Sequence, residues 1–225
     1  MFKSGTGRRW VKPWFQSLWE LVYPSPEYCP FCHTGTVPEG LPGCRACIAR
    51  INPSMHQLRL PRYQGFAVGY YHDYLQHLLY QIKYLNQYRP AVALGRLMAL
   101  AAKEQPEFQA VDYFLPVPLH HERLLMRGFN QTEALVEGMN QVWPHRVCRA
   151  ARHKPTAFQS GLPPKERIKN LRQAFMLADP AVVKGKKLLI IDDIFTTGAT
   201  FYSLADLVHR YQGVPMGLFL AHSDS

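Results

Sequence analysis

Residues 188–200 constrain the fold more than any other segment of this chain. Four apolar residues are followed by Asp192 and Asp193, and a stretch containing Thr and Gly comes next. An uninterrupted apolar run is typical of a strand buried inside a parallel sheet, and ligands bind such sheets at the carboxyl ends of the strands. Backbone amides of the following loop and helix attract phosphate, whereas two carboxylates suit sugar hydroxyls or a bridging Mg²⁺. The segment therefore predicts a phosphorylated sugar as ligand.

Strand and helix patterns alternate along the sequence from about residue 65 onwards. The sequence predicts strands at 66–71, 113–117, 188–191 and 215–221, with helices that include 130–142 and 198–211. This alternation predicts an α/β fold with a mostly parallel sheet flanked by helices. We expect three parts, which are an amphipathic helix over 1–23, a cysteine-rich module over 24–62 and the α/β domain over 63–225.

Two Cys-x-x-Cys pairs stand eleven residues apart in the cysteine-rich module, formed by Cys29, Cys32, Cys44 and Cys47. Four thiolates can close a tetrahedron around Zn²⁺, and such a site leaves no open position for chemistry. Disulfides or redox-active thiols are the alternatives, and a reducing compartment disfavours the first of these. The spacing predicts a structural zinc site in a small zinc-ribbon-like module. The fifth cysteine, Cys148, is expected to be a buried core thiol rather than a nucleophile.

The net charge of +10 is unevenly distributed along the chain. Residues 146–172 carry eight Lys or Arg against one acid, and residues 40–72 carry four Arg and no acid. Such regions attract polyanions, which include phosphorylated substrates, single-stranded nucleic acid and anionic membrane surfaces. A basic surface that only keeps the protein in solution is the alternative. The candidate nucleic-acid contacts are Arg45, Arg50, Arg146, Arg149 and Arg152.

The sequence predicts no transmembrane segment. No apolar run approaches the roughly 18–20 residues that a membrane-spanning helix needs. The first 23 residues are basic and lack the continuous apolar core of a signal peptide. We therefore expect a cytoplasmic protein.

The thirteen residues 188–200 match the signature of the type I phosphoribosyltransferases at every position: four apolar residues, two acids, two apolar residues and Thr-Thr-Gly-x-Thr. Walker B strands of ATPases also end in acids, but the chain lacks the G-x-x-x-x-G-K-S/T motif that accompanies them. Nearly the whole chain resembles the ComF family of phosphoribosyltransferase-like proteins, which are linked in bacteria to natural competence and DNA uptake. The resemblance includes the four-cysteine module and the segments Ile82-Lys83-Tyr84, Leu94-Gly95, Pro116-Val117-Pro118-Leu119 and Arg127-Gly128-Phe129-Asn130-Gln131.

The resemblance implies a type I phosphoribosyltransferase-like fold and a role for each matching residue. Asp192 and Asp193 are expected to hold the ribose 2′- and 3′-hydroxyls of phosphoribosyl pyrophosphate, which binds with Mg²⁺. The loop expected to hold the 5′-phosphate consists of Thr196, Thr197, Gly198, Ala199 and Thr200. The residues expected to meet the pyrophosphate are Arg123, Arg127 and Gly128. Arg167 and Asn170 lie where related enzymes have a mobile cover, and a static basic loop is the alternative there.

Two classes of function remain open at this point. The first is a phosphoribosyltransferase that displaces pyrophosphate from C1 of phosphoribosyl pyrophosphate, in favour of an acceptor that the sequence does not identify. The second is a non-catalytic single-stranded DNA-binding protein that keeps the sugar-phosphate site for regulation, with proteins of the DNA-uptake machinery as partners. A phosphate-binding scaffold without catalysis is the simplest alternative.

Overall fold

The computed structural model describes residues 28–152 and 174–223. The helix expected over 1–23, and Arg167 and Asn170 of the expected cover loop, lie outside the described residues. The α-helices are α1 (Arg45–Ile51), α2 (Asp73–Tyr84), α3 (Tyr88–Ala102), α4 (His121–Arg127), α5 (Gln131–Val142) and α6 (Ala199–Arg210). The strands are β1 (His56–Gln57), β2 (Gln64–Ala67), β3 (Tyr113–Pro116), β4 (Arg146–Val147), β5 (Ala150–Arg152), β6 (Phe175–Leu177), β7 (Lys187–Phe195) and β8 (Val214–His222). Short 3₁₀ helices occur at Pro106–Phe108 and Pro180–Val183.

The main sheet of the described chain has six strands in the order β1-β2-β8-β7-β3-β4. All neighbouring pairs from β2 to β4 are parallel, and β1 joins the edge antiparallel to β2. β5 and β6 form a separate antiparallel pair. The predicted fold class, a parallel sheet flanked by helices with a four-cysteine module at its N-terminal side, is confirmed.

Strand β7 is buried on both faces of the sheet. Its residues 188–191 are fully buried, as the continuous apolar run predicts. Leu189 and Ile191 belong to a core shared with α2, α3 and α5, whereas Leu188 and Ile190 belong to a core shared with α6. Because side chains alternate along a strand, Asp193 lies on the same face as Leu189 and Ile191. Asp192 lies on the opposite face, which packs against α6.

The order of the strands places a crevice between β3 and β7. The chain leaves β3 through α4 and α5 and leaves β7 through α6. Helices α5 and α6 pack on opposite faces of the sheet, because they belong to different cores. The carboxyl ends of β3 and β7 therefore flank a topological switch point, where open α/β sheets bind their ligands.

Helices α3 and α5 pack closely because each carries a glycine at their crossing. A Cβ on Gly95 would overlap the carbonyl oxygen of Leu135, and a Cβ on Gly138 would overlap that of Val92. Both helices contribute buried residues to the core beneath β7. Together with α2, this pair forms the helical layer on one face of the sheet.

The cysteine-rich segment packs on the sheet domain. Cys29 and Cys47 lie in the same buried core as Leu75 and Leu78 of α2. Strand β1, within the segment 24–62, pairs with β2 of the main sheet. The strand predicted at 66–71 begins earlier and is shorter, although Tyr70 still forms a bridge to β8. No helix in the described ranges is long and apolar enough to cross a bilayer.

Candidate functional site

The second acid of β7 is buried and paired. Asp193 is only 5% exposed. Its Oδ2 lies 2.8 Å from Nζ of Lys83, the penultimate residue of α2. No described residue donates a well-aligned hydrogen bond to this oxygen, so the contact is an ion pair. Burying an unpaired carboxylate is costly, so the ammonium group of Lys83 stabilises the ionised form of Asp193 at this buried position.

The first acid of β7 is partly exposed, and it is costly to ionise. The Oδ1 of Asp192 accepts a hydrogen bond from the backbone N–H of Asp193 at 2.9 Å. Burial among the surrounding atoms and the neighbouring Asp193 raise the pKa of Asp192 to about 8, and the N–H of Asp193 and the charge of Lys83 oppose that rise. Carboxyl groups with strongly raised pKa values are common at catalytic and ligand-binding sites. A cation or a ligand hydroxyl would stabilise the ionised form.

Arg127 joins the end of α4 to the end of α2 beside the acid pair. Its Nε donates a hydrogen bond to the carbonyl oxygen of Lys83 at 3.1 Å, and its Nη1 donates to Oε1 of Gln131. Burial lowers the pKa of this guanidinium, the charge of Asp193 raises it and that of Arg123 lowers it. Of the predicted pyrophosphate contacts, Arg127 is therefore within electrostatic reach of both Arg123 and Asp193.

Arg152 approaches the acid pair from the other face of the sheet. Burial lowers its pKa, the charge of Arg123 lowers it further, and the charge of Asp192 raises it. The guanidinium lies 5.5 Å from the centre of the Phe175 ring. The structure thus places this residue, a nucleic-acid candidate from the sequence, beside the predicted sugar-phosphate site.

The other nucleic-acid candidates are divided between α1 and the region of β4. Arg45 and Arg50 are exposed on α1, in the cysteine module, and the Arg50 guanidinium stacks 3.8 Å from the centre of the Tyr74 ring. Arg146 is exposed on β4, at the edge of the sheet opposite β1. Arg149 is also exposed and follows β4. These arginines do not share one secondary-structure element.

The predicted phosphate loop directly follows β7. Thr196 and Thr197 are exposed, and Gly198 turns the chain into α6 with φ of +72°. A Cβ at this glycine would also collide with the rings of Phe195 and Tyr202. Helix α6 begins at Ala199 without a side-chain cap, so its first amides are available to an anion. Thr200 follows in the first turn and is partly exposed.

The predicted pyrophosphate loop is pinned at its two ends. Val117, just after β3, accepts hydrogen bonds from Nδ2 of Asn130 at 3.1 Å and from Oγ1 of Thr132 at 2.6 Å. Both side chains are buried, and Asn130 also caps α5. Gly128, with φ of +78°, ends α4 between these anchors. The loop that carries Arg123 and Arg127 is therefore held at the switch point.

The four cysteines predicted to bind zinc converge. The Sγ atoms of Cys29, Cys32, Cys44 and Cys47 all lie within 4.8 Å of one another. The Sγ atoms of Cys32 and Cys44, one from each pair, lie 3.8 Å apart, far longer than the roughly 2.05 Å of a disulfide bond, and all four cysteines are free. Four convergent sulfur donors fit a tetrahedral Zn²⁺. The arrangement fits a structural metal centre.

Hydrogen bonds to sulfur support that assignment. The backbone N–H of Cys44 donates to Sγ of Cys29 at 3.3 Å, and the hydroxyl of Tyr74 donates to Sγ of Cys47 at 3.1 Å. Hydrogen bonds, first of all from the Thr34 hydroxyl, lower the pKa of Cys32 to about 5. Burial raises the pKa of Cys47, and a bound divalent cation would oppose that because it requires thiolates. Donors aimed at sulfur are typical of thiolate ligands.

Comparison with known proteins places the chain in a family. No protein-family model matches the chain. The DNA utilization protein YhgH of Escherichia coli O6:H1 is 32% identical over 190 residues, which cover 81% of this chain and 78% of that protein. Competence protein F of Haemophilus influenzae is 33% identical over 153 residues, or 64% of this chain and 65% of that protein. The chain belongs to the ComF family.

One of the solved structures similar to this ComF protein is a hypoxanthine phosphoribosyltransferase from Trypanosoma cruzi, complexed with the product IMP. The match to that structure, which is of a point mutant, covers 60% of this chain and 65% of the phosphoribosyltransferase chain. Its TM-score is 0.39 and the sequence identity is 12%.

Separate segments that carry the ComF resemblance meet at the switch point. Lys83 comes from the Ile82-Lys83-Tyr84 segment, Arg127 from the Arg-Gly-Phe-Asn-Gln segment and the acids from the signature at 188–200. Lys83 is a site residue that the sequence analysis leaves without a role. The signal that could have identified it is its place at the end of an amphipathic helix, within a segment shared with the family.

Proposed function

We propose that this ComF protein binds phosphoribosyl pyrophosphate, or a closely related sugar phosphate, at the carboxyl end of β7. The observation that carries this proposal is the junction of an acid pair, an uncapped helix start after Gly198 and basic side chains at one switch point. Carboxylates match sugar hydroxyls, helix amides match a terminal phosphate, and guanidinium groups match a diphosphate. A ligand with all three kinds of group fits this combination.

Each part of the site has a separate task in this proposal. The amides after Gly198 bind the 5′-phosphate, and Asp192 accepts hydrogen bonds from the ribose hydroxyls. Arg123 and Arg127 bind the diphosphate, which suits the two-pronged guanidinium. Arg152 lies on the other face, beside Asp192, and adds to the positive potential there. The loop between β3 and α5 is pinned before ligand arrives, so less order has to be created on binding.

The residues present fit Mg²⁺ as the companion of the diphosphate. Mg²⁺ prefers oxygen ligands and is usually held by one or two carboxylates together with substrate phosphates. Asp192 is the partly exposed carboxylate that would hold it. When bound, Mg²⁺ would neutralise negative charge on the diphosphate. We propose Zn²⁺ as the structural metal of the four cysteines, held by Cys29, Cys32, Cys44 and Cys47.

The reaction that this site could support is displacement of pyrophosphate from C1 of the ribose. The C1–oxygen bond to pyrophosphate breaks, a bond from C1 to the acceptor forms, and the electron pair leaves with the pyrophosphate. Arg123 and Arg127 would stabilise the departing charge, which is electrostatic catalysis more than proton transfer. The acceptor is not assigned to any described pocket.

We further propose that the protein serves competence and DNA uptake. This proposal is supported by family membership and by relatives whose names refer to competence and DNA utilization. Direct binding of single-stranded DNA is the second candidate. It is favoured by Tyr80 and Tyr84 on α2, which are 55% and 68% exposed and whose ring centres lie 4.9 Å apart. Exposed aromatic rings can stack on successive bases of a single strand.

The transferase reaction is tested by measuring pyrophosphate release from phosphoribosyl pyrophosphate and Mg²⁺ with purine, pyrimidine and nicotinate-type acceptors. Release that depends on an acceptor and disappears in Asp192→Asn would support an enzyme. Binding without release would leave a sensor of the sugar phosphate. Single-stranded DNA binding is tested in parallel with Tyr80→Ala, which should weaken it without changing binding of the sugar phosphate.

A further inference from the structure

We propose that Lys83 is a resident counter-cation of Asp193, so that Asp192 is the one carboxylate of the pair that is open to a metal ion or a sugar hydroxyl. This inference deepens the proposed function and rests on it for the identity of the ligand. It assigns to Lys83 the task of setting what the acid pair can bind. The two acids then have different tasks, although they are adjacent in sequence.

The first step of the argument is the burial of the Lys83–Asp193 pair. The side chain of Asp193 is 8% exposed and that of Lys83 is 22% exposed, with 2.8 Å between the charged atoms. Two opposite charges buried in this way remain paired, because separating them would leave each one buried without a partner at a large cost in free energy. The backbone of Lys83 is also held, since its carbonyl oxygen accepts from Nε of Arg127. The lysine is therefore fixed at both its main chain and its ammonium group.

The second step is the opposite orientation of the two acids. Asp193 continues the face of β7 that packs against α2, where Lys83 is located. Asp192 lies on the face toward α6, and its charge raises the pKa of Arg152. Asp192 is also the more exposed of the two. The residue that a ligand meets from solvent is therefore Asp192.

The consequence concerns divalent cations. Two neighbouring free carboxylates would attract a divalent ion without any other ligand. With Lys83 ion-paired to one of them, the two acids carry at most one uncompensated negative charge. A divalent ion without other ligands is therefore bound weakly. A diphosphate supplies further oxygen ligands, so the ion is expected to enter together with it. Lys83 thus favours a metal–diphosphate complex over the free metal.

The test uses Mn²⁺ alone as the probe, without sugar phosphate, in titrations followed by electron paramagnetic resonance on the full-length protein. Lys83→Met should bind Mn²⁺ at least about tenfold more tightly than wild type, because it frees a second carboxylate. Lys83→Arg keeps the charge and should stay within about twofold of wild type. Lys103→Met removes a lysine whose ammonium group pairs with Glu104 and not with either acid of β7, and it is the matched control. A folded Lys83→Met variant with unchanged Mn²⁺ affinity would overturn the proposal.

A charge-balanced variant tests the proposed role of Lys83 even if Lys83→Met does not fold. Lys83→Met/Asp193→Asn removes the pair as a unit, and replacing both partners of a buried pair is far better tolerated than breaking it. Its Mn²⁺ affinity should equal that of wild type, because Asp192 is unchanged. A tenfold loss would make Asp193 a metal ligand and contradict the proposal. Titration of wild type with phosphoribosyl pyrophosphate is a separate measurement, so failure of the proposed function can be told apart from failure of the role of Lys83.

Discussion

The hydroxyl of Tyr74 lies 3.1 Å from Sγ of Cys47 and donates a hydrogen bond to it. Tyr74 is the second residue of α2, and Lys83, the penultimate residue of the same helix, contacts Asp193. One twelve-residue helix thus touches the four-cysteine centre near its start and the acid pair near its end. The four-cysteine cluster and the proposed sugar-phosphate site share a structural support.

We predict that Tyr74→Phe weakens zinc binding. Loss of a hydrogen bond to a metal ligand typically costs about 10–100-fold in metal affinity, and loss of one buried hydrogen bond costs about 1 kcal/mol of stability. Competition with a chelator measures the first effect, and thermal unfolding measures the second. Tyr80→Phe, on the same helix but with an exposed ring, is the control. Equal zinc affinity in the two variants would contradict the prediction.

The crossing of α3 and α5 predicts that Gly95→Ala is strongly destabilising. The new Cβ would overlap the carbonyl oxygen of Leu135, and backbone on both sides cannot yield without separating the helices. We expect a loss of stability near the upper end of the roughly 1–3 kcal/mol typical of overpacking. Gly69→Ala is the matched control, because its Cβ would meet Leu75 at an ordinary 3.5 Å. Chemical denaturation of both variants checks this, and equal unfolding midpoints would exclude the close crossing.

The raised pKa of Asp192, about 8, predicts how stability depends on pH. An ordinary aspartate titrates near about 3.9, so between these values the folded chain holds a proton that the unfolded chain has lost. The free energy of unfolding therefore falls as the pH rises through this window. Asp192→Asn cannot ionise and avoids that fall. Its melting temperature relative to wild type should rise from pH 4 to pH 8, and a difference that does not change with pH would refute the assignment.

Arg152 should matter for the sugar phosphate more than for nucleic acid. The charges of Asp192 and Arg123 act on its guanidinium group, which is therefore within electrostatic range of the proposed ligand site. Arg152→Ala should weaken phosphoribosyl pyrophosphate binding by about tenfold, the cost of one charge-assisted contact. Arg146→Ala, on the exposed edge strand β4, should leave that binding unchanged. Calorimetric titration compares the two, and equal effects would remove Arg152 from the site.

The sequence predicts the elements that have a strong periodic or apolar pattern. The buried strand before Asp192, the strands β3 and β8, and the four-cysteine cluster are all predicted, because burial on both faces and metal-ligand spacing leave clear patterns. Helices α1 and α4 are not predicted. Each has only seven residues, and α4 has no buried residue, so neither carries the periodicity that indicates a helix.

The details of the site depend on contacts between distant parts of the chain. Lys83 and Asp193 are more than a hundred positions apart, and no local sequence pattern around either residue predicts that they pair. Arg152 lies in a basic stretch that suggests a nucleic-acid surface, but the pairing of β5 with β6 places it beside Asp192. Tertiary packing decides both cases, and local patterns do not contain that information.

The central claim is that the carboxyl end of β7 binds phosphoribosyl pyrophosphate, and equilibrium titration tests it most directly. Calorimetry with Mg²⁺ above pH 8, where Asp192 is largely ionised, compares wild type with Asp192→Asn. We predict saturable binding of one ligand per chain to wild type and a loss of at least about tenfold in the variant, as expected for hydrogen bonds to a charged group. Absence of binding to wild type, or equal binding to both proteins, would contradict the account.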